Sequence, residues 1–186
     1  MAATSPDTEE KKKLPRTAIV VAATAACLGI IYGYDNGIIG GAQDVFAEDL
    51  GLNTQQTEFV VAAIVYGEII GAIAAGFLVN FWGRKKSMII LTAGYVVFGL
   101  LSAISVNMWM LAGSRIGLGL AIGISLIAVP VFVAESIPAR VRGGTLVLYQ
   151  VMGVCGIILG LRFSLALSGS TWPDRWRIML GLAAGP

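Results

Sequence analysis

Hydrophobic side chains occur in long runs along this chain, and short polar segments separate the runs. A helix that crosses a bilayer needs about 20 predominantly apolar residues. Five runs reach that length: Thr17–Ala42, Glu58–Phe81, Ser87–Val106, Trp109–Ala134 and Gly144–Ser168. A sixth run starts near Trp176 and reaches Pro186, which is about half of a span. The pattern predicts an all-α membrane protein in which residues 17–186 form five full transmembrane helices and part of a sixth.

The polar segments that flank these runs differ in charge. Residues 1–16 are polar and are interpreted as a flexible tail, because the apolar run that follows is longer than the core of a signal peptide, about 7–15 residues. Basic residues cluster in the tail and in two later segments: Lys11, Lys12, Lys13 and Arg16, then Arg84, Lys85 and Lys86, then Arg140 and Arg142. The segment between the first two runs carries only acids: Asp44, Glu48 and Asp49. The positive-inside rule therefore places the tail and both basic segments in the cytoplasm, although Arg175 and Arg177 mildly disagree.

Composition excludes several functional classes. The chain is 56% hydrophobic and only 13% charged, whereas soluble domains carry about 25% charged residues. A net charge of +2 is too small to indicate nucleic acid binding, and the chain has no histidine with which to build a histidine metal site. Cys27 and Cys155 lie inside apolar runs and are interpreted as small core residues. We expect no metal and no cofactor, and the absence of a nucleophile–base set or a cofactor loop argues against an enzyme.

Four ionisable residues lie inside the predicted spans: Asp35, Glu68, Arg115 and Arg162. A carboxylate at the centre of a membrane helix costs about 2.5–3.5 kcal/mol and is normally retained for a function. Asp35 lies about seven residues before the outer end of the first run, and Arg115 about six residues after the outer end of the fourth. At 1.5 Å per residue, both lie roughly 10 Å below the outer boundary. Two opposite charges at equal depth are expected to pair.

Two interpretations of this predicted pair remain open at this stage. In the first, a motion that separates Asp35 from Arg115 allows the carboxylate to bind a proton, and a motion that rejoins them expels the proton. The pair would then couple conformational change to proton movement. In the second, the pair is a static structural salt bridge.

Several motifs together resemble one known family. The spacing from Gly76 to Gly83-Arg84-Lys85 resembles the loop signature of the major facilitator superfamily. Six further features resemble the sugar porter family within that superfamily: Tyr32-Gly33-Tyr34-Asp35, Ser114-Arg115-Ile116-Gly117-Leu118-Gly119, Pro130-Val131-Phe132-Val133-Ala134-Glu135, Pro138 with Arg142-Gly143, Gln150, and Asp174-Arg175-Trp176-Arg177. The resemblance covers almost the whole chain beyond the tail, and it implies the N-terminal six-helix half of a transporter bundle.

The resemblance also implies roles for single residues. Asp35 and Arg115 match the proton-coupling acid and its partner in proton-coupled sugar porters. Three positions match residues that contact the sugar: Gln150, Ile157 and Tyr32. Four positions match a cytoplasmic charge network that stabilises the outward-open state: Gly83, Arg84, Glu135 and Arg142. The implied function is uptake of a monosaccharide or polyol, together with protons, by alternating access across the cell membrane.

The chain departs from the family pattern at a few points. Asn80 and Phe81 replace residues that are commonly acidic and basic. Glu68 is not a family hallmark and is interpreted as a packed, protonated acid in preference to a second protonatable group. Arg162 is also unexpected, and it either extends outward to the membrane surface or marks a locally altered sequence.

Length is the larger departure, because a sugar porter has two six-helix halves. We therefore expect an N-terminal fragment or a truncated product that needs the C-terminal half as its partner. A facilitative uniporter of the same fold, a non-transporting sugar sensor and an inactive truncated partner are the alternatives.

Overall fold

Six helices make up the part of the chain that the structure describes. The computed structural model describes residues 16–168 and 175–182, without the side chains of Arg16, Thr17, Asn80, Trp82, Arg84, Lys85 and Ser168. The helices are α1 (Arg16–Asp49), α2 (Thr54–Trp82), α3 (Arg84–Ala103), α4 (Met108–Ser136), α5 (Ala139–Ser168) and α6 (Arg175–Leu182). The first five are long and apolar enough to cross a membrane. The predicted tail before residue 16 and the end of the sixth run after residue 182 lie outside the described residues.

The helices extend beyond several of the boundaries predicted from hydrophobicity. Helix α1 continues past Ala42 to Asp49, because alanine, glutamine and glutamate sustain a helix as well as apolar residues do. Helix α2 starts at Thr54, where Asn53 and Gln56 form a reciprocal capping box with hydrogen bonds of 2.9 and 3.0 Å. Hydrophobicity thus locates the membrane-spanning part of each helix, and capping chemistry decides where the helix begins.

A single residue, Gly83, separates α2 from α3. Its φ of 78° lies in the left-handed region, where a side chain would be strained. The Gly83 amide donates to the carbonyl of Val79 and ends α2, and the Gly83 carbonyl accepts from the Ser87 amide in the first turn of α3. This glycine reverses the chain direction in the shortest possible connection, as the motif around it predicts.

Two pairs of helices pack with their backbones in direct contact. In the first pair, α1 lies against α5: a Cβ atom added at Gly156 or Gly160 would lie 2.8 Å from the amide nitrogen of Tyr34 or Ile38. In the second pair, α2 lies against α4, where a Cβ atom at Gly71 would lie 3.1 Å from the amide nitrogen of Ile124. Small residues at the contact allow this close approach between membrane helices.

Helices α3 and α6 complete the bundle. Helix α3 packs on α4 and on α6, and α6 also contacts α1. The Tyr34 hydroxyl donates to the Met179 carbonyl at 3.3 Å, and the Trp176 indole donates to the Asp49 carboxylate at 3.0 Å. Two clusters of buried apolar side chains, one towards the start of α1 and one towards its end, form the core. These contacts fix the face of α1 that carries Asp35.

Candidate functional site

Asp35 and Arg115 are in contact inside the bundle. The Arg115 Nη2 atom donates to the Asp35 Oδ2 atom at 3.3 Å, and the side chains are 1% and 4% exposed, respectively. Helix α1 supplies the acid and α4 supplies the base, at the equal depth that counting residues predicted. Because each charge lies away from water, neither is stable without a partner.

The pair leaves several of its own polar atoms without a hydrogen bond. Among the residues that the structure describes, Asp35 Oδ1 and Arg115 Nε and Nη1 are buried and have no hydrogen-bond partner. A guanidinium can donate five hydrogen bonds in a fixed fork, and this one makes a single long bond to the acid. The ion pair therefore uses one of the Arg115 nitrogen atoms, and the other two can still donate hydrogen bonds.

Glycines on either side of Asp35 position its helix. Gly33 and Gly37 flank the acid and lie against α5, where added Cβ atoms would be 2.9 Å from the amide nitrogen and 3.0 Å from the carbonyl carbon of Ile157. Helix α1 is thereby held at α5 by one face, while Asp35, which is two residues from each glycine, projects from another face towards α4. The two glycines therefore set the orientation of α1 and with it the direction in which Asp35 points.

Hydroxyl groups that sequence reasoning missed lie near the pair. The Tyr95 and Ser125 hydroxyls are 3.0 Å apart, and the Ser102 and Ser114 hydroxyls are 2.9 Å apart, all four residues being buried. Tyr95 lies within electrostatic range of Asp35. The available signal was that Ser114 and Ser125 are polar residues in the otherwise apolar run of α4.

Glu68 on α2 belongs to the same region. It is half-buried, and its carboxylate lies within electrostatic range of both Asp35 and Arg115. The Tyr32 hydroxyl on α1 lies within range of Glu68 as well. Sequence analysis identified Glu68 as unusual but did not associate it with the pair.

The three predicted sugar-contacting residues occupy α1 and α5. Tyr32 is half-buried, and its backbone carbonyl accepts a hydrogen bond from the Asn36 side-chain Nδ2 at 2.9 Å. Gln150 is exposed, and Ile157, seven residues and thus two turns later on the same face of α5, is 37% exposed. The described part of the chain therefore leaves both α5 side chains accessible.

The predicted cytoplasmic network is only partly described. Gly83 forms the turn between α2 and α3, and the Arg84 side chain lies outside the described residues. Arg142 is half-buried and directs Nη2 at the Ile137 carbonyl at 3.5 Å, which is a long contact across the α4–α5 turn. Glu135 is exposed at the end of α4. Arg142 therefore lies against the turn that precedes it.

A separate apolar groove of about 1160 Å³ lies between α1, α3 and α4. Its lining includes Val20, Thr24, Met88, Val97 and Phe132 and contains none of the predicted site residues. A groove whose only polar lining groups are a few hydroxyls, Thr24, Thr92 and Ser136, provides few partners for sugar hydroxyls. The ion pair and its polar surroundings remain the candidate site.

Comparisons with known proteins bear on this geometry. A family described as sugar (and other) transporters matches residues 21–186. Myo-inositol transporter 2 of Schizosaccharomyces pombe is 32% identical over 95% of this chain and 32% of that protein. The galactose-proton symporter of Escherichia coli K12 is 34% identical over 87% of this chain and 34% of that protein. The chain thus spans about a third of the length of the curated relatives it matches.

A solved structure has the same fold. The crystal structure of a D-xylose-proton symporter superposes with a TM-score of 0.81 over 90% of this chain and 45% of that one, at 23% sequence identity. The six helices therefore have the arrangement of one half of a major facilitator superfamily bundle. The matched proteins named above are transporters.

Proposed function

Because this chain belongs to the family of sugar (and other) transporters, we propose that it forms the N-terminal half of a proton-coupled transporter for a monosaccharide or polyol. A second six-helix half completes what we call the intact transporter. The N-terminus lies in the cytoplasm and the transporter resides in the cell membrane, in agreement with the distribution of basic residues. The substrate class follows the relatives, which include a myo-inositol transporter and a galactose-proton symporter.

The observation that carries the proposal is the buried ion pair of Asp35 and Arg115. A carboxylate beside a guanidinium stays ionised, whereas a buried carboxylate that loses this partner binds a proton. Movement of α1 relative to α4 would lengthen the 3.3 Å contact and so switch Asp35 between these two states. The transporter thereby binds a proton in one conformation and releases it in the other.

The packing of the helices supports such a movement. Backbone contact at glycines, as between α1 and α5, has no interlocking side chains that resist sliding or rocking. Asp35 lies on the helix held by these glycines, and Arg115 lies on the helix of the other close pair. Relative motion of the two pairs therefore acts directly on the distance between the charges.

Sugar recognition is assigned to Gln150, Ile157 and Tyr32. A glutamine amide offers two donors and an acceptor, which suits adjacent sugar hydroxyls. Ile157 presents an apolar surface on the same face of α5, and Tyr32 adds an aromatic ring from α1. At the opposite end of the helices, we propose that Gly83, Arg84, Glu135 and Arg142 stabilise the outward-open state.

Sugar accumulation in proteoliposomes that contain the intact transporter tests the proposal. An inward proton gradient should drive accumulation, and Asp35→Asn should abolish it while leaving sugar exchange between the two sides. The matched control is Asp44→Asn, which removes an exposed acid farther along the same helix and should leave accumulation unchanged. A variant at Asp35 that accumulates sugar as strongly as the wild type would overturn the proposal.

The same experiment separates the alternatives. Sugar uptake that a proton uncoupler leaves unchanged would identify a facilitative uniporter, in which the ion pair of Asp35 and Arg115 is structural. Sugar binding without uptake would identify a sensor. Either result would contradict proton-coupled transport.

A further inference from the structure

The close packing of α2 on α4 brings Glu68 within electrostatic range of the ion pair. A Cβ atom at Gly119 would lie 3.1 Å from the Glu68 amide nitrogen, and one at Gly123 would lie 2.8 Å from the Glu68 carbonyl carbon. Arg115 precedes Gly119 by one helical turn on the same side of α4, about 6 Å along the axis. A glutamate and an arginine are long enough to bridge that offset.

The charges of this region do not balance. Two acids, Asp35 and Glu68, lie within electrostatic range of one guanidinium, that of Arg115, which contacts Asp35, and the two acids also act on each other. The titratable and charged groups within electrostatic range of Glu68 or the pair come from α1, α3 and α4: Asp35, Tyr32, Tyr34, Tyr95 and Arg115. Since the tyrosines are neutral, one of the two acids must hold a proton for the region to be neutral.

Arg115 also has the capacity for a second carboxylate. Its Nε and Nη1 atoms are buried without a hydrogen-bond partner among the described residues, while Nη2 alone reaches Asp35. An unpaired donor on a side chain that is 1% exposed is costly, and a second acceptor would remove the cost. Glu68 is an ionisable acceptor that the packing of α2 on α4 brings within electrostatic range of Arg115.

We propose that Glu68 is the second carboxylate of the proton site and that Arg115 exchanges Asp35 for Glu68 when the transporter changes conformation. This inference rests on the proposed proton-coupled function. With Arg115 on Asp35, Glu68 holds one proton on its carboxyl group. When Asp35 binds a proton from the outer solution, Arg115 moves to Glu68, which releases its proton inward. When Arg115 returns, the proton passes from Asp35 to Glu68, so each cycle moves one proton inward.

Substitution of Glu68 by its neutral isostere provides the first test. In the intact transporter in proteoliposomes, Glu68→Gln should reduce proton-driven accumulation roughly tenfold, because Arg115 then has no second carboxylate. Sugar exchange should persist. The control is Glu58→Gln, which removes an exposed acid from the outer end of the same helix and should change nothing. Accumulation by the Glu68→Gln variant at the wild-type level would overturn the inference.

A double-mutant cycle tests the pairing without any measurement of transport. If Glu68 accepts Arg115 when Asp35 is neutral, the two substitutions should not have additive effects on the melting temperature. Asp35→Asn should lower the melting temperature of the Glu68→Gln variant by about 2 °C or more beyond the decrease that it causes in the wild type. Additive effects would overturn the inference. If the wild type couples sugar to protons but the effects are additive, only the role of Glu68 fails. If the wild type moves no protons with sugar, the proposed function fails.

Discussion

Replacing Arg115 with methionine removes the guanidinium that neutralises Asp35 and keeps an unbranched apolar side chain. The carboxylate then remains buried among α1, α4 and their neighbours without a cation. We expect the intact transporter to be strongly destabilised, because an isolated buried charge loses its hydration and has no cation to compensate for that loss.

The magnitude follows from the geometry. At 3.3 Å and an effective dielectric constant of about 20, the charges of Asp35 and Arg115 attract each other by about 5 kcal/mol. The desolvation of both groups offsets much of this attraction in the wild type. Removing one partner forfeits the attraction while the other charge stays buried, and such changes cost about 3–5 kcal/mol.

Two further variants and a change of pH check the reasoning. Adding Asp35→Asn to Arg115→Met removes the unpaired charge, so the double variant should be more stable than Arg115→Met alone. Acidification should also stabilise the Arg115→Met variant, because a protonated Asp35 is neutral and needs no cation, whereas the double variant should not respond in this way.

Thermal unfolding of the purified intact transporter, followed by tryptophan fluorescence, measures all of these effects. A melting temperature for Arg115→Met equal to that of the wild type would refute the account of a mutually stabilising buried pair. So would a double variant, with Asp35→Asn added, whose loss equals the sum of the two single losses.

Three further predictions concern packing and recognition. Gly156→Ala should destabilise the transporter by about 2 kcal/mol, because the new methyl group meets the backbone of α1, whereas Gly113→Ala, which meets nothing within 4 Å, should be neutral or stabilising in the same melting assay. Gln150→Ala should raise the KM for the sugar roughly tenfold, equivalent to a hydrogen bond of about 1.4 kcal/mol, without uncoupling proton-driven uptake. Trp176→Phe removes the 3.0 Å hydrogen bond to Asp49 and should cost about 1 kcal/mol in thermal unfolding.

Much of the fold is predictable from the sequence for a local reason. In a bilayer the backbone of each spanning segment must make its hydrogen bonds within the segment, because no water is available. A sufficiently long apolar run therefore forms a helix. The helix ends were less predictable: α1 extends to Asp49, and α2 begins at Thr54, four residues before the predicted start at Glu58. Hydrophobicity reports where lipid surrounds a helix, which is a different property from where the backbone stops being helical.

The candidate site likewise has one part that the sequence predicts and one part that it does not. Asp35 and Arg115 were matched from the sequence because a helix rises by a fixed distance per residue, and depth in the membrane can therefore be counted. Counting depth does not reveal which helices are neighbours. The proximity of Glu68 to the pair, and of the Tyr95–Ser125 hydroxyls to Asp35, depends on which helix faces lie together.

The sequence by itself determined the spanning segments, the family resemblance and the common depth of two opposite charges. Only the tertiary structure decided that α1 packs on α5 and α2 on α4, and that the packing of α2 on α4 brings a second carboxylate, Glu68, near Arg115. The physical reason is that position along a helix axis is set by local hydrogen bonds, whereas position across the membrane plane is set by contacts between residues far apart in the chain.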